Sequence, residues 1–397
     1  MADSAGQVSA NISESTRTDR DLDIDGMMAH RVAARSRTLP SMSALRVGLD
    51  ARLYGRGLGI ATYIDGLARA LAERGDVSEV VLLGGAADAS PSLHRGGRGI
   101  TAALVDPRLA RRQLASLELD VLHFCANLGW LRSGAVPHAL TVHDAIFLDA
   151  RGRTLRQRVG RAAMRSLVPR SIAAAPTLIT VSETARLDLA RLGAGDRAVV
   201  VCPHGAPDDI VALDVPRTDV LVFAASDPRK GTALALRAWE AALPQLSSTT
   251  TLHLLTAAGI GADDARHAAR LPRTKIHGRL ERSDLVTLLG SARALLHTSS
   301  AEGFGLPVLE AMTGGTIVVG GLAPSVRWLA GDALAPSNDA GLEAALVAVC
   351  TDDELAAQLR ARGLQRAAEF SWATSARLHV KAYRDAISAG SEPARQA

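Results

Sequence analysis

Short runs of Val, Leu and Ile alternate with amphipathic helical stretches twice along this chain. That double alternation limits the fold more than any other feature of the sequence. In the first half the strand-like runs fall at 45–50, 79–84, 120–124, 139–143, 177–181 and 198–201. In the second they fall at 219–225, 250–255, 274–277, 293–297 and 316–320. Helical patterns lie between them, such as 60–73, where Ile60, Tyr63, Ile64, Leu67 and Leu71 share one face. Strands apolar on both sides, each followed by a helix, predict parallel sheets covered on both faces. Two such sets predict an α/β protein of two Rossmann-like, doubly wound domains. Their switch-point crevices would face each other across a central cleft, where ligands bind. The length, 397 residues, suits two domains, and a hydrophobic content of 47% is ample for two cores. A polar, proline-containing stretch, 206–218, separates the sets and reads as a hinge. The expected divisions are a disordered tail over 1–43, domains over 44–205 and 219–372, a last helix over 373–387 and a second tail over 388–397.

Several function classes are excluded early. The net charge of +4 is too small to argue for nucleic acid. Cys125, Cys202 and Cys350 are far apart and show no metal-ligand spacing, which fits a reduced, cytoplasmic setting. No run approaches the roughly 18 apolar residues of a membrane span, and the polar N-terminus is not a signal peptide. In the tail, Asp21-Leu22-Asp23-Ile24-Asp25-Gly26 imitates the start of a calcium loop. Its twelfth position is Val32 instead of a bidentate Glu, so no metal is expected there.

The densest signal is Glu302-Gly303-Phe304-Gly305-Leu306-Pro307-Val308-Leu309-Glu310. It follows the apolar run Ala294-Leu295-Leu296 and leads into Ala311-Met312, the order of a strand, a glycine loop and a helix. Pro307 is expected at the first helical position, where its missing N–H costs nothing. Gly303 and Gly305 let the backbone turn tightly and bring bare amides to a ligand, and the helix N-terminus then faces an anion. Glu302 before the helix and Glu310 in its first turn would flank that anion. Carboxylates repel phosphate but suit sugar hydroxyls. The chain has only 3 Lys beside 42 Arg, so Lys230, in Asp227-Pro228-Arg229-Lys230-Gly231, stands out.

This string resembles the Glu-x7-Glu signature of retaining glycosyltransferase family 4, whose members have the GT-B fold. The resemblance runs outward through His297-Thr298-Ser299-Ser300, Gly314-Gly315-Thr316-Ile317-Val318-Val319 and Gly331-Asp332-Ala333, and covers nearly all of residues 45–387. It implies an N-terminal acceptor domain, a C-terminal donor domain, and a last helix that crosses back, marked by Phe370-Ser371-Trp372 and Tyr383-Arg384. It also implies site residues. Glu310 would hold the ribose hydroxyls, and Glu302 would sit near the transferred sugar. Gly303, Phe304, Gly305 and Leu306 would offer backbone amides. Lys230 and then Arg229 would stabilise the departing diphosphate.

In the first half, Thr141-Val142-His143-Asp144 resembles a cleft-facing family segment, with His143 as its functional candidate. His123, which ends the preceding strand, is a second candidate. Gly57 and Gly59 belong to the Gly55-Arg56-Gly57-Leu58-Gly59 loop, which resembles the family's acceptor-side loop. Val181-Ser182-Glu183 and Pro203-His204-Gly205 match segments read as architectural. No cofactor or metal is implied, because cationic side chains and the helix terminus can take a metal's place. No second carboxylate across the cleft is evident for double displacement. Two departures stand out. Ala224-Ala225 replace a frequent Gly-Arg, and Val326-Arg327-Trp328 replace a Leu-Pro-Glu, leaving an indole beneath the donor.

Residues 151–170 hold Arg151, Arg153, Arg156, Arg158, Arg161, Arg165 and Arg170 and no acid. Leu155, Val159, Ala162, Ala163 and Leu167 form an apolar side that reads first as core-facing. The alternative is docking on an anionic membrane surface, which would suit a lipid-linked acceptor. The expected partners are a nucleotide-diphosphate sugar, GDP-mannose before UDP-glucose or UDP-GlcNAc, and a glycan or lipid-linked acceptor. The competing class is a non-catalytic GT-B protein that binds a glycan or nucleotide.

Overall fold

The computed structural model describes residues 32–33, 43–54, 58–84, 108, 114–132, 134, 136–149, 154–257, 259–336 and 341–391. The first sheet contains β1 (Val32–Ala33), β2 (Leu45–Asp50), β3 (Val77–Leu83), β4 (Val121–Phe124), β5 (His138–Val142), β6 (Thr177–Thr180) and β7 (Val199–Val201). The second contains β8 (Val220–Phe223), β9 (Leu252–Leu255), β10 (Thr274–His277), β11 (Ala294–His297), β12 (Ile317–Gly320) and β13 (Leu334–Pro336). Every expected strand is present within a few residues. Two were not anticipated. The pair Val32–Ala33 is a short edge strand, antiparallel to β3. The run Leu334–Pro336 ends on a proline, which an edge strand tolerates but which hides it in the sequence.

Both sheets are otherwise parallel. The first has the order β1-β3-β2-β4-β5-β6-β7 and the second β10-β9-β8-β11-β12-β13. Central strands are buried along their whole length, as their unbroken Val/Leu/Ile runs require. The fold is two facing α/β domains. Among the described residues no helix is long and apolar enough to cross a membrane. The calcium-like stretch up to Gly26 and the tail expected over 1–43 lie almost wholly outside the described residues, as does Gly57.

The last helix, Trp372–Ser391, runs a few residues past its expected end and packs on the first domain, burying Ala376, Val380, Tyr383 and Ala386 in that core. A buried chain of hydrogen bonds fixes it there. His379 Nδ1 lies 2.7 Å from the Ser375 carbonyl, so it donates and leaves Nε2 to accept from the Tyr63 hydroxyl at 2.7 Å. Tyr63 then accepts from Thr141 Oγ1 (3.0 Å), and Thr141 accepts from His123 Nε2 (2.7 Å). His123 Nδ1 finally accepts from the Tyr383 hydroxyl at 2.8 Å. Burial holds both imidazoles below their usual range, His379 at about 4, so both are neutral, as this chain of donors demands.

Helix Leu155–Ala174 departs from its core-facing reading. Its buried residues are Val168, Ser171 and Ile172, all near the C-terminal end. Leu155 and Val159 are 75% and 61% exposed, and Ala162 and Ala163 are exposed beside them. Only the last turns reach the core, and the first turns overhang it.

Candidate active site

The second sheet reverses its winding between β8 and β11, and a ligand crevice is expected beyond the C-terminal ends of those two strands. Arg229 and Lys230 follow β8, and Glu302 follows β11. The two loops are laced together. Thr298 Oγ1 donates to the carbonyls of Lys230 (2.9 Å) and Gly231 (3.0 Å), and the Ser300 amide donates to the Arg229 carbonyl (2.8 Å). Gly231 has φ +65°, and a Cβ there would come 2.4 Å from the Thr298 carbonyl, so only glycine fits.

This lacing sets Lys230 Nζ 2.6 Å from Glu302 Oε1. His297 Nε2 lies 3.7 Å from the same oxygen. Burial by itself would raise the Glu302 carboxyl, but His297 and Lys230 outweigh it and hold the group down at about 2. Glu302 is therefore a fixed anion. Its backbone is fixed as well, by Ser325 Oγ on the Glu302 carbonyl at 2.7 Å.

Gly303 is one contact between the halves. Ser182 Oγ, which caps the helix Glu183–Arg191 by accepting from the Ala185 amide, donates to the Gly303 carbonyl at 2.7 Å. A Cβ on Gly303 would lie 2.4 Å from the His143 carbonyl. Phe304 is buried and stacks on His204 of the first half, with centroids 4.7 Å apart. Its side chain anchors the loop and does not face a sugar. Gly305 takes φ +104° and begins the helix Leu306–Thr313. Pro307 is thus the second helical residue, and Glu310 lies one residue deeper than expected, just past the first turn. Gly59 sits opposite, where an added Cβ would be 3.9 Å from Leu306 Cδ1.

Glu310 is paired with Arg282, whose Nη1 is 3.1 Å from Glu310 Oε1. Arg282 also forks onto Asp209 of the interdomain segment at 2.7 and 2.8 Å. Burial raises the Glu310 carboxyl, and Arg282 opposes that rise. Arg282 lines a cleft of about 870 Å3 between the halves, together with Thr62, Asp65 and Trp372 from the first-domain side and Phe223 and Leu255 from the second.

A smaller cavity, about 340 Å3, is lined by Arg229, Lys230, Glu302 and Gly303 from the second half and by Asp144, Ile146, Phe147 and Arg161 from the first. The structure therefore brings four of the expected residues together here, while Glu310 lines neither space and meets the larger cleft only through Arg282. His143 contributes its backbone to the interface. Its ring donates from Nε2 to the Cys125 carbonyl at 2.9 Å and packs edge-on against Tyr63. His123 is fully buried under the last helix and is not brought to either cavity.

Three participants were missed in the sequence: Asp144, Arg161 and Arg282. Asp144 follows His143 directly, and its resemblance segment could have found it. It supplies a carboxylate across the cleft, where none was expected. Its carboxyl is raised by burial, while its Oδ1 accepts from the Ile146 amide at 3.0 Å. Trp328 is half-buried and packs with Phe304 and Phe370, so the indole supports the glycine loop from behind.

The Glycosyltransferase Family 4 model matches residues 58–209, and the Glycosyl transferases group 1 model matches residues 209–366. A glycogen synthase of Mycobacterium tuberculosis is 37% identical over 185 residues, covering 41% of this chain and 44% of that protein. O-antigen chain mannosyltransferase B of Escherichia coli is 36% identical over 110 residues, covering 27% and 29%. The chain thus spans less than half the length of these curated relatives. A sucrose-phosphate synthase from Thermosynechococcus elongatus superimposes with a TM-score of 0.65 at 17% identity, over 87% of this chain and 100% of that one. Matched across residues 58–366 and folded as two facing parallel-sheet domains, the chain belongs to glycosyltransferase family 4, with the GT-B fold.

Proposed function

We propose that the protein is a retaining glycosyltransferase that moves a hexose from a nucleotide-diphosphate sugar to a glycan or lipid-linked acceptor. The observation that carries this reading is the Lys230–Glu302 pair, held where the loops after β8 and β11 meet and facing the first domain across a cavity. Breaking a sugar–diphosphate bond leaves charge on the departing phosphate, and fixed cations stabilise that charge best. Lys230 has three N–H donors, so it can keep Glu302 and still serve a phosphate oxygen. Arg229 adds a second cation, and the N-terminus of helix Leu306–Thr313 a third favourable field. Glu302, ionised and fixed, accepts from the hydroxyls of the transferred sugar. Glu310 does the same for the ribose, steadied by Arg282.

Retention follows from departure and attack on one face, with the leaving phosphate taking the acceptor proton. Asp144 permits the alternative, a covalent glycosyl-enzyme, and mass spectrometry after incubation with donor alone separates the two. GDP-mannose is favoured by the mannosyltransferase among the relatives, and a glucose nucleotide by the glycogen synthase. The test is thermal shift and slow donor hydrolysis against GDP-, UDP-, ADP- and dTDP-sugars, with Glu310→Ala alongside. One donor should stabilise the protein and be cleaved, with both effects lost in the variant. A folded protein that binds no nucleotide would leave the non-catalytic reading in its place.

The acceptor is proposed to be lipid-linked, at an anionic membrane surface. The supporting observation is the overhanging first half of helix Leu155–Ala174, where Leu155 and Val159 stand exposed beside Arg156 and Arg165. Salt-sensitive co-sedimentation with anionic but not zwitterionic vesicles is expected. Co-sedimentation with neither would refute this reading.

A further inference from the structure

The cavity of about 340 Å3 is bordered by three cations, and two of them already have partners. Lys230 is held by Glu302 at 2.6 Å, and Arg229 forks onto Asp227 at 2.6 and 3.1 Å. Arg161, which enters from helix Leu155–Ala174 of the opposite half, has no acidic partner and no hydrogen bond among the described residues. Its Nη1 is shut off from solvent. A guanidinium N–H hidden from water without an acceptor is expensive, and the expense vanishes when an anion arrives. The flat, forked guanidinium matches the paired oxygens of a phosphate better than it matches a hydroxyl.

We infer that Arg161 is the first domain's contribution to phosphate binding, closing on the anionic oxygens of a phosphate group held in this cavity opposite Arg229 and Lys230. Among the described arginines of 151–170 it is the one that lines this cavity, so the basic stretch and the cleft meet there at this side chain. Its charge also reaches the far loop, where it helps Arg229 hold the Asp227 carboxyl below its usual range against the opposing effect of burial. The second half carries no cation at Ala225, and Arg161 supplies one from across the cleft. The inference rests on the transferase reading for the identity of the phosphate, which belongs either to the donor diphosphate or to a phosphorylated acceptor.

The experiment is calorimetric titration of the full chain and its Arg161→Gln variant, with Arg270→Gln as an exposed control for the loss of one charge. If the donor diphosphate is the partner, GDP or UDP binding weakens about tenfold in Arg161→Gln while the matching monophosphate is unaffected. If an acceptor phosphate is the partner, nucleotide affinity holds, and inorganic phosphate binds the nucleotide-saturated wild type but not the variant. Arg161→Lys should recover part of either effect. Equal affinity of wild type and Arg161→Gln for nucleoside diphosphate and for phosphate overturns the inference. If the wild type binds no nucleotide at all, the transferase reading falls. Phosphate titration of the free protein then still tests Arg161 by itself.

Discussion

Replacing Lys230 with Met isolates the interaction on which the site is built. Glu302 is 14% exposed and Lys230 29%, so the pair is largely withdrawn from water, and the carboxylate cannot be left alone cheaply. The drop of the Glu302 carboxyl from 4.5 to about 2 corresponds to about 3 kcal/mol, the net that His297 and Lys230 leave after overcoming burial. Losing the lysine should therefore cost on the order of 1–2 kcal/mol at pH 7. The sign follows from the depressed value. The stabilisation is complete above 4.5 and disappears as pH falls through about 2. In Lys230→Met, burial is opposed by His297 alone and the carboxyl moves back up. The gap between wild type and variant should then be full at pH 7, narrow below the variant's higher value, and close near pH 2. Urea unfolding followed by tryptophan fluorescence at several pH values measures this gap. Lys230→Met/Glu302→Gln supplies the cycle, and the double variant should lose less than the two single losses added together. Additive losses, or a gap that ignores pH, would refute the claim that Lys230 acts on the fold through Glu302.

Arg282→Gln removes the cation from a Glu310 carboxyl that burial already raises. Nucleotide affinity should fall about tenfold and decline more steeply from pH 7 to pH 5 than in wild type, measured by calorimetry. A variant whose affinity is flat with pH would refute it. Gly303→Ala puts a methyl 2.4 Å from the His143 carbonyl, so the halves must part there. Turnover should drop about a hundredfold while the melting temperature moves by only a few degrees, and unchanged turnover would mean that contact is dispensable. Tyr383→Phe leaves His123 Nδ1 without its donor in a fully buried network. A loss of about 1–2 kcal/mol is expected on denaturation, with nucleotide affinity intact. Weakened nucleotide binding would instead tie His123 to the cleft.

The sheets were legible because their strands are buried on both faces and so carry unbroken apolar runs, such as Val121-Leu122 and Leu295-Leu296. Edge strands lack that constraint. Leu334-Ala335-Pro336 is short, two of its three residues small or cyclic, and reads as a loop. The first turns of helix Leu155–Ala174 misled for the opposite reason. Their spacing has helical periodicity, yet nothing in the described structure covers Leu155 or Val159, and periodicity reports a face without saying what lies against it.

The site was legible where chemistry depends on backbone geometry. Gly231, Gly303 and Gly305 are needed whatever the side chains do, since each meets a carbonyl too closely or takes a positive φ. It was illegible where chemistry depends on meeting across the cleft. His123 and His143 end adjacent strands and look equivalent in the sequence. Tyr383, more than two hundred residues later, claims one ring for the core. Arg161 is one arginine among seven, and only the packing of its helix brings it to the cavity that holds Lys230 and Glu302. Such a residue leaves no local pattern because its partner is a ligand. What marks it is a buried guanidinium nitrogen with no partner among the described residues, on a side chain that lines the cavity. A cation left unpaired beside two paired ones is therefore the better guide to where the substrate's charge sits.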